Sequence, residues 1–210
     1  MDPQSVSYKT LKNSGYGMLG YVVPILFFIV VTPVVIHRLG IVDYGVFVLV
    51  NTIVAFLSLL DLGFTVSLIK FVSEYFAKGE TQSLNKILNV GHSLYLLMGA
   101  VGLVVFFAIG KFFLPVFNIS TGSIPHIEIV FLIAGLIFFV NGLMAVYQAV
   151  PNALQRFDII TKLTIVQLFF TQGGILAVVT MGYKLKAIFL VNLVCIVGIL
   201  IAYRIYCRKI

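Results

Sequence analysis

Acidic side chains are scarce in this chain, seven Asp and Glu among 210 residues. They are dispersed, with no DxD or HxxxD-like cluster, so the paired carboxylates, metal motif or nucleophile-and-base set that catalysis needs are missing. The chain is not expected to be an enzyme. Cysteine is almost absent, with Cys195 and Cys207 the only two. Neither CxxC nor metal-ligand spacing joins them to His37, His92 or His126, so no metal, cofactor or disulfide is expected. The histidines read as packed bundle residues. Charge of either sign is also low, 10% of the chain, against about 25% in an ordinary soluble domain. The net charge of +7 comes from Lys and Arg set between apolar segments, not gathered in one patch. Nucleic acid is therefore not an expected partner, and the pattern is the one the positive-inside rule produces in membranes.

What the chain has in quantity is apolar sequence: 61% hydrophobic residues and a mean hydropathy of +1.14. Six runs stand out, at 15–36, 44–69, 87–109, 129–150, 163–181 and 187–203. Their lengths suit helices across a bilayer core, which takes about 20 residues. The spacing predicts an all-α polytopic membrane protein, a six-helix transmembrane bundle over residues 1–210. The first run follows a polar tail carrying Lys9 and Lys12 and is longer than the about 7–15 residues of a signal-peptide core. It reads as a retained helix, bent at Pro24 and Pro33, with Gly17, Gly20 and Pro24 on a face open to a neighbour. After the second run, Lys70, Glu74 and Lys78 at four-residue spacing carry the helix into water. Gly79 is the expected C-cap there, and Ser83 the expected N-cap of the next helix. The longest loop, 110–128, contains Pro115, Gly122 and Pro125.

Counting Lys and Arg puts ten on one side of this bundle and four, Arg38, Lys111, Lys184 and Lys186, on the other. Both termini are then expected in the cytoplasm, with the chain a multi-pass protein of the cytoplasmic (inner) membrane.

The stretch Leu39 to Lys70 organises the rest. From Tyr44 to Ile69 its only charge is Asp61, whose burial in a bilayer costs about 2.5–3.5 kcal/mol on insertion scales. Read as one helix, it places Asn51, Ser58, Asp61 and Thr65 within an arc of about 80°, and Gly63 lets a neighbour approach. The fourth run carries a second stripe, Asn141, Gln148 and Asn152, and the fifth a third, Thr164, Gln167, Thr171 and Gly174. Phe138 and Phe169 fall on the opposite faces. Lipid offers such stripes no hydrogen bonds. They serve either as interhelical glue or as the lining of a hydrated cavity, whose transport-path candidates are Asp61, Asn51, Ser58, Asn141, Gln148, Gln167 and Thr171.

Several words of the chain resemble a known family: Leu39-Gly40 with Asp43-Tyr44-Gly45-Val46-Phe47, then Leu59-Leu60-Asp61-Leu62-Gly63. Phe71-Val72-Ser73-Glu74-Tyr75, Lys78-Gly79 and Gln155-Arg156-Phe157-Asp158 continue the likeness. Together they look like the N-terminal half of polysaccharide-biosynthesis flippases. These are the Wzx-type O-antigen and teichuronic-acid exporters of the multidrug/oligosaccharidyl-lipid/polysaccharide superfamily. The resemblance implies a bacterial or archaeal transporter that carries an undecaprenyl-pyrophosphate-linked oligosaccharide across the cytoplasmic membrane. It implies two lobes around a central cavity, this chain corresponding to the first and the second lobe absent. Pyrophosphate contacts would fall to Arg38, Lys70 or Arg156. Implied partners are the lipid-linked oligosaccharide, membrane lipids, polysaccharide assembly proteins, and a proton or sodium ion as coupling ion. Two alternatives stay open: a cation-coupled small-molecule (multidrug) antiporter in which Asp61 holds the ion, and a non-transporting membrane bundle.

Overall fold

In the computed structural model the described residues are 3–113 and 127–208, with side chains from residue 15 onward except those of 16, 17, 19, 21 and 113. They form seven α-helices and no strand: α1 (Pro3–Leu39), α2 (Ile41–Ser58), α3 (Phe64–Lys78), α4 (Thr81–Ala108), α5 (Ile127–Ala153), α6 (Phe157–Thr180) and α7 (Leu185–Cys207). A short 3₁₀ turn follows α2 and a π turn follows α4. Helices are the expected outcome, since apolar runs of about 20 residues satisfy their backbone in lipid by hydrogen bonds within the segment. Six of the seven are long and apolar enough to cross a membrane, α3 being the exception. The loop expected at 110–128, with its Pro115, Gly122 and Pro125, lies mostly outside the described residues, as do the side chains of Lys9 and Lys12.

Helix α5 is the axis of the bundle. Half of it is buried, against 11% of the α1 and α6 spans, as befits a helix apolar around most of its circumference. Against it lie α4, α7 and α3, while α6 packs on α7 and α1 on α6. Phe131 and Ala134 of α5 meet Phe106 of α4, Ile196 and Tyr203 of α7 and Val50 of α2 in the largest apolar cluster. Outward-facing Phe28, Ile29, Phe170 and Val194 remain exposed, which lipid tolerates because it is as apolar as they are.

The α4–α5 contact is close because α4 presents glycine to it. A Cβ on Gly99 would sit 2.5 Å from the Phe139 ring, and one on Gly102 2.3 Å from that of Phe138. Small residues that admit a neighbouring side chain this closely are a common device of membrane bundles. At Gly20 of α1 the nearest atom to a Cβ would be Thr161 of α6, at 3.8 Å.

Three local expectations change. Helix α4 begins at Thr81, so Ser83 lies inside its first turn; Glu80 stands at the N-cap without a side-chain bond. Of the two charge pairs expected on α3, only Lys78–Glu74 forms, at 2.7 Å. The Lys78 ammonium holds the Glu74 carboxyl below the usual carboxylate range. Lys70 lies instead over the Phe71 ring, 5.9 Å from its centroid. Gly79 does close α3 in the left-handed conformation, with its own N–H and that of Glu80 bonded to Phe76 and Tyr75 carbonyls.

The largest correction concerns the run 44–69, expected as one helix. It is two. Helix α2 ends at Ser58, the 3₁₀ turn Leu59–Asp61 follows, and Leu62 (φ 44) and Gly63 (φ 82) are both left-handed before α3 starts at Phe64. Left-handed conformation costs a residue with a side chain about 1–2 kcal/mol, so Gly63 is suited to this place for its backbone. No atom lies within 4 Å of its Cβ position, and close approach of a neighbour is not its role.

Candidate functional site: a polar pocket at the helix break

Breaking a helix leaves amide donors at the start of the next one without partners. Asp61 answers this. Its Oδ1 accepts the Thr65 amide at 3.3 Å and the Thr65 hydroxyl at 3.2 Å, capping α3 where the dipole favours a negative group. The Tyr95 hydroxyl of α4 donates to the same oxygen and lies 2.6 Å from Thr65 Oγ1. The carboxylate therefore sits at a helix terminus, not in mid-helix, with donors from two helices converging on one oxygen. Hydrogen bonds to an ionised acceptor are the strong ones, and these offset its removal from water.

Beside this network lies a cavity of about 240 Å³, lined by Leu57, Ser58, Asp61, Thr65, Tyr95, Met98, Gly99, Phe138, Asn141, Gly142 and Ala145. Tyr95 and Asn141 stand near the midpoints of α4 and α5, so the pocket is at half the depth of the bundle. Ser58 is exposed at its edge, its hydroxyl bonded to the Val54 carbonyl. The Asn141 side chain has no hydrogen bond among the described residues.

Of the seven transport-path candidates the structure brings three together here, Ser58, Asp61 and Asn141. Asn51 is exposed on α2 and donates to the Phe47 carbonyl; it lies two turns before Ser58 on the same face, outside the pocket. Gln148 lies with Thr164 against the Tyr203 hydroxyl, which is buried and reaches hydrogen-bond geometry with neither. Gln167 and Thr171 sit on α6 away from the pocket, and the Thr171 hydroxyl is buried without a partner among the described residues. Phe138, expected on the face opposite Asn141, lines the same pocket, because the two are only about 60° apart on the helix. Phe169 is exposed and packs edge-on to Phe27.

Of the three cation candidates, Arg38 ends α1 exposed, and Lys70 leans on Phe71. The Arg156 guanidinium pairs with both oxygens of Asp158, at 3.1 and 3.3 Å. None of them lines the pocket.

Sequence reasoning missed Tyr95, whose partner is 34 positions away in the chain, and the glycines at 99 and 142 that make room beside it. The recurrence of Gly91, Gly99 and Gly102 on the buried face of α4 was a readable signal for the close contact. Asp43, read from the sequence only as part of a family-like word, is buried in the first turn of α2, with Oδ2 unpartnered among the described residues.

No curated protein and no solved structure matches the chain. The profile of one family, described as polysaccharide biosynthesis protein, matches residues 10–210. That match takes in all six candidate spans and the pocket with its carboxylate, and by it the chain belongs to the polysaccharide biosynthesis protein family.

Proposed function

We propose that the chain is a transporter component, a flippase that moves an undecaprenyl-pyrophosphate-linked oligosaccharide across the cytoplasmic membrane for surface polysaccharide synthesis. One observation carries this reading. A pocket holding a carboxylate, three hydroxyls and an amide without a hydrogen bond among the described residues lies at half-depth between membrane-spanning helices. Polar groups at such depth face protein or a water-filled path, and here the helix is broken to make room for them. Family membership and six spans fit membrane transport better than catalysis. Both termini are placed in the cytoplasm on the Lys and Arg asymmetry. Arg38, exposed and without an ion pair among the described residues, is the freest of the three candidates for the pyrophosphate.

Deletion of the gene tests the proposal. The expected result is loss of surface polysaccharide, with lipid-linked oligosaccharide accumulating on the cytoplasmic face and both restored by the chain supplied in trans. A second reading, a cation-coupled small-molecule antiporter, draws on Asp61 as the sole charge in the pocket. Intact surface polysaccharide with lost efflux of an organic cation selects that reading instead.

A further inference from the structure

The pocket's own chemistry says which part of such a substrate it takes. Among the described residues Asp61 is its only charged side chain, and no Lys, Arg or His lines it. An anionic group placed there meets a carboxylate and no counter-charge, in surroundings where charges are poorly screened. Pyrophosphate and acidic sugars are therefore disfavoured. The three protein donors all converge on Asp61 Oδ1, and among the described residues none reaches Oδ2. That leaves a carboxylate oxygen able to accept, beside an Asn141 amide able to donate and accept. Sugar hydroxyls, each one donor with two acceptor lone pairs, complement this set.

The remaining lining is apolar. Leu57, Met98, Phe138 and Ala145, with bare backbone at Gly99 and Gly142, suit the C–H face of a pyranose ring, which aromatic and aliphatic walls cover well. The volume of about 240 Å³ is below the about 300–1,000 Å³ of pockets for drug-sized ligands. One ring fits and an oligosaccharide does not.

We propose that the cavity between α2, α4 and α5 is a subsite for a single neutral or amino sugar of the transported glycan, with Asp61 the residue that rejects acidic sugars. This rests on the flippase reading and narrows its substrate to glycans that present a neutral or amino sugar at this position.

The test uses the full chain in nanodiscs of phosphatidylethanolamine and phosphatidylglycerol, since glycoside detergents would compete. With Cys195 and Cys207 replaced by alanine, Ala145→Cys is the reporter, and Leu57→Cys is a second in case the first does not fold. Modification by a water-soluble methanethiosulfonate is timed with methyl glucoside, methyl glucosaminide or methyl glucuronide present. At about 50 mM, the neutral and amino glycosides should slow modification about threefold, the protection a weak dozen-atom ligand gives. The glucuronide should not, and Tyr183→Cys, exposed in the turn before α7, should be modified and unprotected by all three. In Asp61→Asn the glucuronide should protect as well as the glucoside does. Equal protection by the glucuronide with Asp61 in place overturns the assignment of Asp61. Protection by no glycoside overturns the subsite. If surface polysaccharide still depends on the chain in that case, the flippase reading stands without it.

Discussion

Replacing Tyr95 by phenylalanine deletes one hydroxyl and keeps the ring that packs against Gly142 of α5. That hydroxyl serves two partners across the helix break, Asp61 Oδ1 and Thr65 Oγ1. A hydrogen bond between membrane helices contributes about 0.6–2 kcal/mol, and an ionised acceptor belongs in the upper half of that range. Asp61 Oδ1 keeps both donors from Thr65, so the variant strands no group. Tyr95→Phe should therefore destabilise by about 1–2 kcal/mol. Asp61→Ala removes the acceptor of three donors and should cost more, about 2–4 kcal/mol. In that background Tyr95→Phe loses only the Thr65 contact, so the pair should couple by about 1 kcal/mol. Equilibrium unfolding in mixed micelles of dodecyl sulfate and a non-ionic detergent, followed by helicity, measures all four corners of the cycle. A Tyr95→Phe effect below about 0.3 kcal/mol, or strict additivity, refutes the network as a tie between α3 and α4.

Asp61→Asn retains an acceptor where the three donors converge and turns the other oxygen into a donor; it should keep membrane abundance and lose export, measured as surface polysaccharide. Gly102→Ala should destabilise by about 1–3 kcal/mol through overpacking, as its Cβ would meet the Phe138 ring at 2.3 Å; the same micelle assay reads it. Gly63→Ala should cost about 1–2 kcal/mol for its left-handed backbone, whereas Gly45→Ala, in open space inside α2, should be neutral or stabilising. Cysteine at Glu80, in the turn before α4, should be shielded from an impermeant thiol reagent outside intact cells and cysteine at Tyr183 labelled; the reverse pattern inverts the orientation.

The sequence by itself determined that the chain is helical and crosses a membrane, because that follows from run length and from a rule every backbone obeys in lipid. Neither depends on which helix packs on which. Turn chemistry was legible for the same reason: Gly79 ends α3 through its own backbone freedom. Four of the pocket's polar residues, Ser58, Asp61, Thr65 and Asn141, were legible too, since an acid, an amide and hydroxyls in apolar runs are conspicuous wherever they end up. Their grouping was not. The run 44–69 contains no proline, and a helical wheel drawn through it assumes a phase that two left-handed residues at 62 and 63 abolish. Asn51 shares the α2 face of Ser58 but lies two turns, about 10 Å, before it, outside the pocket that Ser58 and Asp61 form with Asn141. What makes the break tolerable comes from elsewhere in the chain: the Tyr95 hydroxyl, whose ring lies against Gly142 of α5. Only the tertiary structure decided this, because a donor from another helix helps turn a half-buried carboxylate into the cap of α3 and part of a pocket lining.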